Sequence, residues 1–254
     1  MNENLKTEGN FIYAEAGEGI PIIVLHGLMG TLSNFEGLFN YFPKKNYQVL
    51  IPKLPLYSLP LLKTNVKNLA IFLYDFIVHK KLEKVVLVGN SLGGHIALYF
   101  TKHYPDKVSA LVLTGSSGLY EKAMGDSFPK RGNYEYMEEK TRGVFYDPEF
   151  ASRQLIDDVF ELVNDRSSAI RTISIAKSAI RHNMANDLPT MTQPTCLIWG
   201  KQDGVTPPEV AHDFHKLLPD SDLFWIDKCG HAAMMEAPDE FNTILDKWFT
   251  DRNI

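Results

Sequence analysis

Short apolar runs alternate along the chain with longer stretches in which apolar residues recur every three or four positions. That rhythm is the signature of a mostly parallel sheet covered by helices. Strands are expected at residues 11–16, 22–25, 48–51, 84–88, 108–113, 195–199 and 222–226, with a turn over 15–19 and Pro52 stopping the third run. The 84–88 run is β-branched and almost free of polar residues, as central parallel strands tend to be. Between the runs, Val66, Leu69, Leu73, Phe76 and Ile77 fall on one face of a helix over 65–79. Further helices are expected over 92–103, 208–217 and 240–249.

Residues 119–191 break the rhythm. A polar stretch over 125–133, interrupted by Pro129 and two glycines, reads as a mobile loop. Asp147-Pro148 reads as a helix start, a capping side chain followed by proline in the first turn. Ile156, Val159, Phe160 and Val163 then mark an apolar stripe, and a second helix is expected over 168–181 with Ile170, Ile173, Ala176 and Ile180 on one side. Helices inserted at this point suggest a cap (119–191) over one end of an α/β core formed by residues 1–118 and 192–254. The cap enters before the penultimate strand.

The 254 residues suffice for one sizeable core, and 44% hydrophobic with 22% charged residues is ordinary globular composition. A net charge of -5 and a pI near 5.9 give no basic footprint for nucleic acid or an anionic membrane. Residues 1–10 lack the layout of a secretory signal, and no apolar run approaches the ~18–20 residues that cross a bilayer. Cys196 and Cys229 are too few and too far apart for a disulfide framework or a zinc site. A soluble cytoplasmic protein is expected, without nucleic-acid or membrane partners, acting on a small molecule. Exposed cap surfaces offer a contact for a homodimer. No metal cluster, P-loop or dinucleotide fingerprint is present in the sequence, so no cofactor is implied.

The sharpest feature is Gly89-Asn90-Ser91-Leu92-Gly93, a Gly-x-Ser-x-Gly pentapeptide between a buried strand and a helix. A serine on such a turn needs small neighbours, and its hydroxyl projects beyond the strand end at a helix N-terminus. Elsewhere the same residues would serve as a glycine-rich crossover turn. To act as a nucleophile, Ser91 needs a base, and in elbows of this kind serine is followed by an acid and then histidine. His231, in the loop after the last expected strand, is the chosen base, and His182 in the cap is its rival. Asp203, directly after the preceding strand, is the chosen acid; its bland reading is a turn aspartate. Asp227 lies nearer His231 in sequence but at the end of its own strand. The oxyanion donors are expected to be the backbone amides of Leu92 and of Leu28 in the His26-Gly27-Leu28-Met29-Gly30 loop. His26 is read as a tether of that loop. Asn90, beside the serine, is a candidate substrate contact.

These segments, in this order, resemble the α/β-hydrolase superfamily over essentially the whole chain. The tracts Gly89-Asn90-Ser91-Leu92-Gly93-Gly94 and Cys229-Gly230-His231 are similar to those of carboxylesterases and of meta-cleavage-product hydrolases, which cut carbon–carbon bonds in ring-fission dienoates. The resemblance implies an α/β-hydrolase fold and a Ser91–His231–Asp203 triad. Two departures matter. Meta-cleavage hydrolases carry tryptophan after the histidine, where this chain has Ala232, and they place a cap arginine on the substrate carboxylate. Arg166 is the candidate for that arginine, an exposed cap residue being the plainer account of it. Residues 52–58, with Pro52 and Pro55, either wall an apolar pocket or pack under the cap. Hydrolysis of a small or medium carboxylic ester is the first expectation, carbon–carbon hydrolysis the second. A small-molecule receptor on the same fold is the non-enzymatic one.

Overall fold

The computed structural model describes residues 5–120 and 131–254. Most of the loop expected over 125–133 therefore lies outside the described residues. Eight strands form one sheet: β1 (Leu5–Glu8), β2 (Phe11–Ala16), β3 (Ile20–Leu25), β4 (Tyr47–Pro52), β5 (Val85–Asn90), β6 (Val108–Thr114), β7 (Thr195–Gly200) and β8 (Ser221–Ile226). Their order is β1-β2-β4-β3-β5-β6-β7-β8. β1 and β2 run antiparallel to their neighbours, while β4, β3 and β5 through β8 pair in parallel. The β1 strand was not foreseen, because all four of its residues are exposed and it has no apolar alternation to announce it.

The described helices are α1 (Glu36–Tyr41), α2 (Val66–His79), α3 (Leu92–His103), α4 (Tyr134–Arg142), α5 (Arg153–Asn164), α6 (Arg166–Arg181), α7 (Pro208–Leu217), α8 (Ala233–Glu236) and α9 (Pro238–Arg252). The sheet is buried on both faces, which is why its central strands read as unbroken apolar runs. Val85, Leu87, Leu111 and Leu113 pack with the apolar sides of α2, α3 and α7. Val86, Val88, Val112 and Ile198 pack with Leu38, Phe39, Phe241, Leu245 and Phe249 from α1 and α9. Together the strands and helices make the α/β-hydrolase architecture expected, and no described helix is long and apolar enough to cross a membrane.

Helices α4, α5 and α6 stand between β6 and β7, and two expectations about them are corrected. Asp147 caps only a 3-10 turn, Pro148–Phe150, by accepting from Glu149 N at 3.0 Å. Ala151 then turns extended, and α5 starts on a new cap, with Ser152 Oγ accepting from Leu155 N at 3.2 Å. In α6 the buried side is Ala169, Thr172, Ile175, Ser178 and Ala179, while Ile170 and Ile180 are exposed. This polar-containing face is stable because it is hydrogen-bonded to the start of α2. Ser178 Oγ accepts from Val66 N (3.1 Å), and Ser174 Oγ donates to Thr64 O (3.1 Å). Arg171 Nε also donates to Leu59 O at 3.1 Å. The proline-rich segment 52–60 thus packs beneath α6 and does not line the cavity described below.

The joint between sheet and α3 positions everything downstream. A Cβ at Gly93 would be driven into the carbonyl oxygen of Leu25, so β3 and α3 approach this closely only because residue 93 has no side chain. Gly93→Ala is therefore expected to destabilise the fold by about 2–3 kcal/mol, as overpacking of rigid backbone does. Urea unfolding of the variant against the native chain measures it.

Candidate functional site

At the carboxyl end of β5, the chain reverses into α3 through Ser91, whose φ of 53° and ψ of -120° lie far from ordinary L-residue geometry. A non-glycine residue in that region is strained and must be held there by its surroundings. Ser91 N donates to Thr114 O at 3.2 Å, and Ser91 O accepts from His95 N at 3.2 Å and Ser117 N at 3.1 Å. The main chain is thereby fixed while the side chain borders the cavity. The Leu92 amide opens α3, where the first-turn N–H groups have no intrahelical acceptor.

His26 holds the loop opposite. Its Nδ1–H donates to Gly27 O at 3.0 Å, and its Nε2 accepts from Leu54 N at 3.3 Å, which fixes the tautomer. Burial lowers its pKa and keeps it neutral. Gly30 N closes the loop on Gly27 O at 3.1 Å, and Met29 takes a positive φ of 61°. Among the described residues, the Leu28 amide donates to no protein acceptor. Leu28 and Leu92 border the same cavity as Ser91.

Asp203 and His231 meet across the ends of β7 and β8. His231 Nδ1 and Asp203 Oδ2 are 2.9 Å apart, with the carboxylate 3% and the histidine 7% exposed. Asp203 Oδ1 accepts from the Val205 and Thr206 amides at 2.8 and 2.9 Å, and Oδ2 also accepts from Thr206 Oγ1 at 2.8 Å. The histidine's backbone is clamped as well. His231 N donates to Val144 O at 2.9 Å, and its carbonyl accepts from Asn90 Nδ2 at 3.1 Å. Glu236, raised in pKa by burial, accepts from Gly230 N at 2.9 Å and Tyr146 N at 2.7 Å, tying the histidine loop to the segment after α4.

The other sequence candidates separate cleanly. His182 ends α6, stacked on Tyr99 with 5.4 Å between ring centroids, and does not line the cavity. Asp227 is exposed beside Lys201. Asn90 borders the cavity, but its amide nitrogen donates to Thr114 O and His231 O, so it positions the histidine loop. Arg166 is corrected: it begins α6 on the exposed side and is absent from the cavity wall, because the Asp165 cap turns the first residue of the helix outward. Thr206 and Glu236 were missed by sequence reasoning. Asp203 followed three residues later by Thr206 is a turn signature that signals the first.

The cavity itself has a volume of about 310 Å³. Its walls come from the loops bearing Leu28, Ser91 and His231 and from α4, α5 and α6. Most of its lining is apolar, including Met137, Val159, Ile173, Ala176, Val205 and Met234. Lys140 is the one Lys or Arg on it among the described residues, which hold no cluster of His, Cys, Asp or Glu fit for a metal ion. The site could therefore bind an apolar small molecule against a serine, an aspartate-paired imidazole and two backbone amides. Cys229, just before the histidine, is pushed up to about 12 by burial first and Glu236 second, so its thiol is inert at neutral pH.

Residues 20–238 match the alpha/beta hydrolase fold family. The 2-hydroxy-6-oxononadienedioate/2-hydroxy-6-oxononatrienedioate hydrolase of Pseudomonas sp is 27% identical over 257 residues, covering 93% of this chain and 90% of that protein. The 2-hydroxy-6-oxo-6-(2'-aminophenyl)hexa-2,4-dienoic acid hydrolase of Metapseudomonas resinovorans is 30% identical over 251 residues, 90% of this chain and 83% of its own. The crystal structure of an alpha/beta hydrolase enzyme from the metagenome of sediments of the lagoon of Mar Chica, Morocco, aligns with a TM-score of 0.83 at 55% identity, covering 98% of this chain and 99% of that one.

His95, four residues after Ser91, supplies a pH handle on this region. It is fully buried in α3, donates from Nε2 to His182 O at 2.9 Å, and is pushed down to about 4 by burial. A histidine with a depressed folded pKa binds fewer protons folded than unfolded, so stability falls as pH drops from 6.5 toward 4. Between pH 7 and 5 the loss from this one group should be about 2 kcal/mol. Unfolding free energies measured across that range should slope less in His95→Gln than in the native chain.

Proposed function

Because the chain belongs to the alpha/beta hydrolase fold family, we propose that it is a serine hydrolase cleaving small or medium carboxylic esters through an acyl-enzyme on Ser91. The observation that carries this reading is the buried Asp203–His231 contact at 2.9 Å beside the same apolar cavity that Ser91 borders. A serine hydroxyl is a weak nucleophile until a base takes its proton. With Nδ1–H committed to Asp203, His231 presents Nε2 as that base, and the carboxylate stabilises the imidazolium that forms. The Leu28 amide, which donates to no protein acceptor among the described residues, and the Leu92 amide at the head of α3 are the donors for the oxyanion. His231 then returns the proton to the departing alcohol and activates water against the acyl-enzyme. The apolar walls from α4 to α6 suit an aliphatic or aromatic acyl group better than a charged one.

A second reading has its own observation. Two relatives at 27% and 30% identity are named for hydrolysis of ring-fission dienoic acids, so this chain could apply the same machinery to a carbon–carbon bond. Against it stand the outward Arg166 and the replacement of the tryptophan after the histidine by Ala232. A fluorophosphonate probe should label the native protein and not Ser91→Ala, whose ester turnover falls about a millionfold. Kinetics on a p-nitrophenyl ester series and on a ring-fission dienoate should show the esters turned over faster. Faster dienoate turnover would install the second reading, and folded native protein that resists the probe would remove both.

A further inference from the structure

The net charge of -5 averages over a chain whose charges are unevenly placed. Two segments, residues 59–67 and α6, hold six of its 26 Lys and Arg and none of its 31 Asp and Glu. The six are Lys63, Lys67, Arg166, Arg171, Lys177 and Arg181, all exposed except Arg171, which is half-buried. Among the described residues, Lys63, Lys67, Arg166 and Arg181 form no ion pair.

The two segments lie against each other. Arg171 Nε donates to Leu59 O, Ser174 Oγ donates to Thr64 O, and Ser178 Oγ accepts from Val66 N, each at 3.1 Å. The 59–67 turn therefore runs alongside α6. The outward side of that helix carries Arg166, Ile170, Lys177 and Arg181, spaced by four, seven and four residues, with Ile180 beside them. On the turn, Leu61 and Leu62 are exposed as well. Leu62 is 94% exposed, more than any other large apolar side chain among the described residues.

Apolar side chains gathered on a surface mark a contact, because burying them recovers hydrophobic free energy. Charge decides with what. A second copy of this chain is disfavoured, since two such faces would set six cations against six with no carboxylate on either. A lipid layer meets both demands. Lys and Arg lay their methylene stems beside the isoleucines while their charged heads reach phosphate, and a protruding leucine needs no matching pocket in a fluid layer. We propose that the outer face of α6 and the adjoining 59–67 turn dock this protein on an anionic phospholipid surface, lying on it rather than spanning it. Ile173 and Ala176, on another side of α6, line the cavity. One helix thus carries both the lipid contact and part of the cavity wall, which suits apolar esters that partition into lipid. The docking itself does not depend on which bond the site cleaves.

Co-sedimentation of the full chain with vesicles tests it. Vesicles of phosphatidylcholine mixed with phosphatidylglycerol should bind the native protein at least tenfold, and on the order of a hundredfold, more tightly than pure phosphatidylcholine. Salt at about 1 M, where the Debye length is about 3 Å, should abolish that preference. Leu62→Ser should weaken binding to the mixed vesicles about tenfold through loss of an inserted leucine. Lys63→Gln/Arg181→Gln should weaken it about thirtyfold, roughly a factor of five for each cation. All three side chains are exposed, so the variants should keep the native unfolding midpoint in urea. No binding to the mixed vesicles, equal binding to both kinds, or folded variants that bind as the native protein does would overturn the docking face. So would native self-association in sedimentation velocity that Leu62→Ser abolishes, which would give the face to a second copy.

Discussion

A carboxylate taken out of water must be met by donors from every side, and the candidate site depends on how Asp203 meets that demand. Two backbone amides, one hydroxyl and one imidazole converge on its two oxygens. The first three come from Val205 and Thr206, on the turn after β7, so the strand end itself holds the carboxylate in place. The fourth, His231, comes from the turn after β8, the strand paired in parallel with β7. A single buried charge therefore sets the direction of an imidazole borne on a different strand. The sheet places both at the end where Ser91 also emerges, since parallel strands present their carboxyl ends to one side.

Around that contact, the helices between β6 and β7 supply hydrogen bonds as well as cavity walls. Val144 O receives the amide of His231, and Glu236 bridges Gly230 to Tyr146. The residues that roof the cavity and the residues that aim the histidine are thus one hydrogen-bonded unit. At the other side of the roof, α6 is bonded to the head of α2 through Ser174 and Ser178.

Much of this was legible because it is written in backbone requirements. Gly89, Gly93, the strand ends and the serine–acid–histidine order mark positions where only certain residues fit, and those marks survive in a single sequence. What stayed hidden depends on distant contacts. The buried face of α6 carries Thr172 and Ser178, which hydropathy reads as solvent-facing, and only the Ser178 bond to Val66, 112 residues away, makes that face an interior one. Ile170 and Ile180 misled for the same reason. β1 had no apolar pattern because it is an exposed edge strand. Asp147 is a sound cap, yet nothing local shows that Ala151 will interrupt the turn it starts. Arg166 was assigned a role through family likeness, and likeness does not fix which way the first residue of a helix points.

The central claim is that Asp203 works by orienting and charging His231, and Asp203→Asn tests it most directly. The amide keeps the shape of the turn but offers the wrong hydrogen-bonding pattern and no charge. Ester kcat of the folded variant should fall by about 10,000-fold. A folded Asp203→Asn protein that retains kcat within about tenfold of native would contradict the account, since one such group acting in a triad is worth several powers of ten.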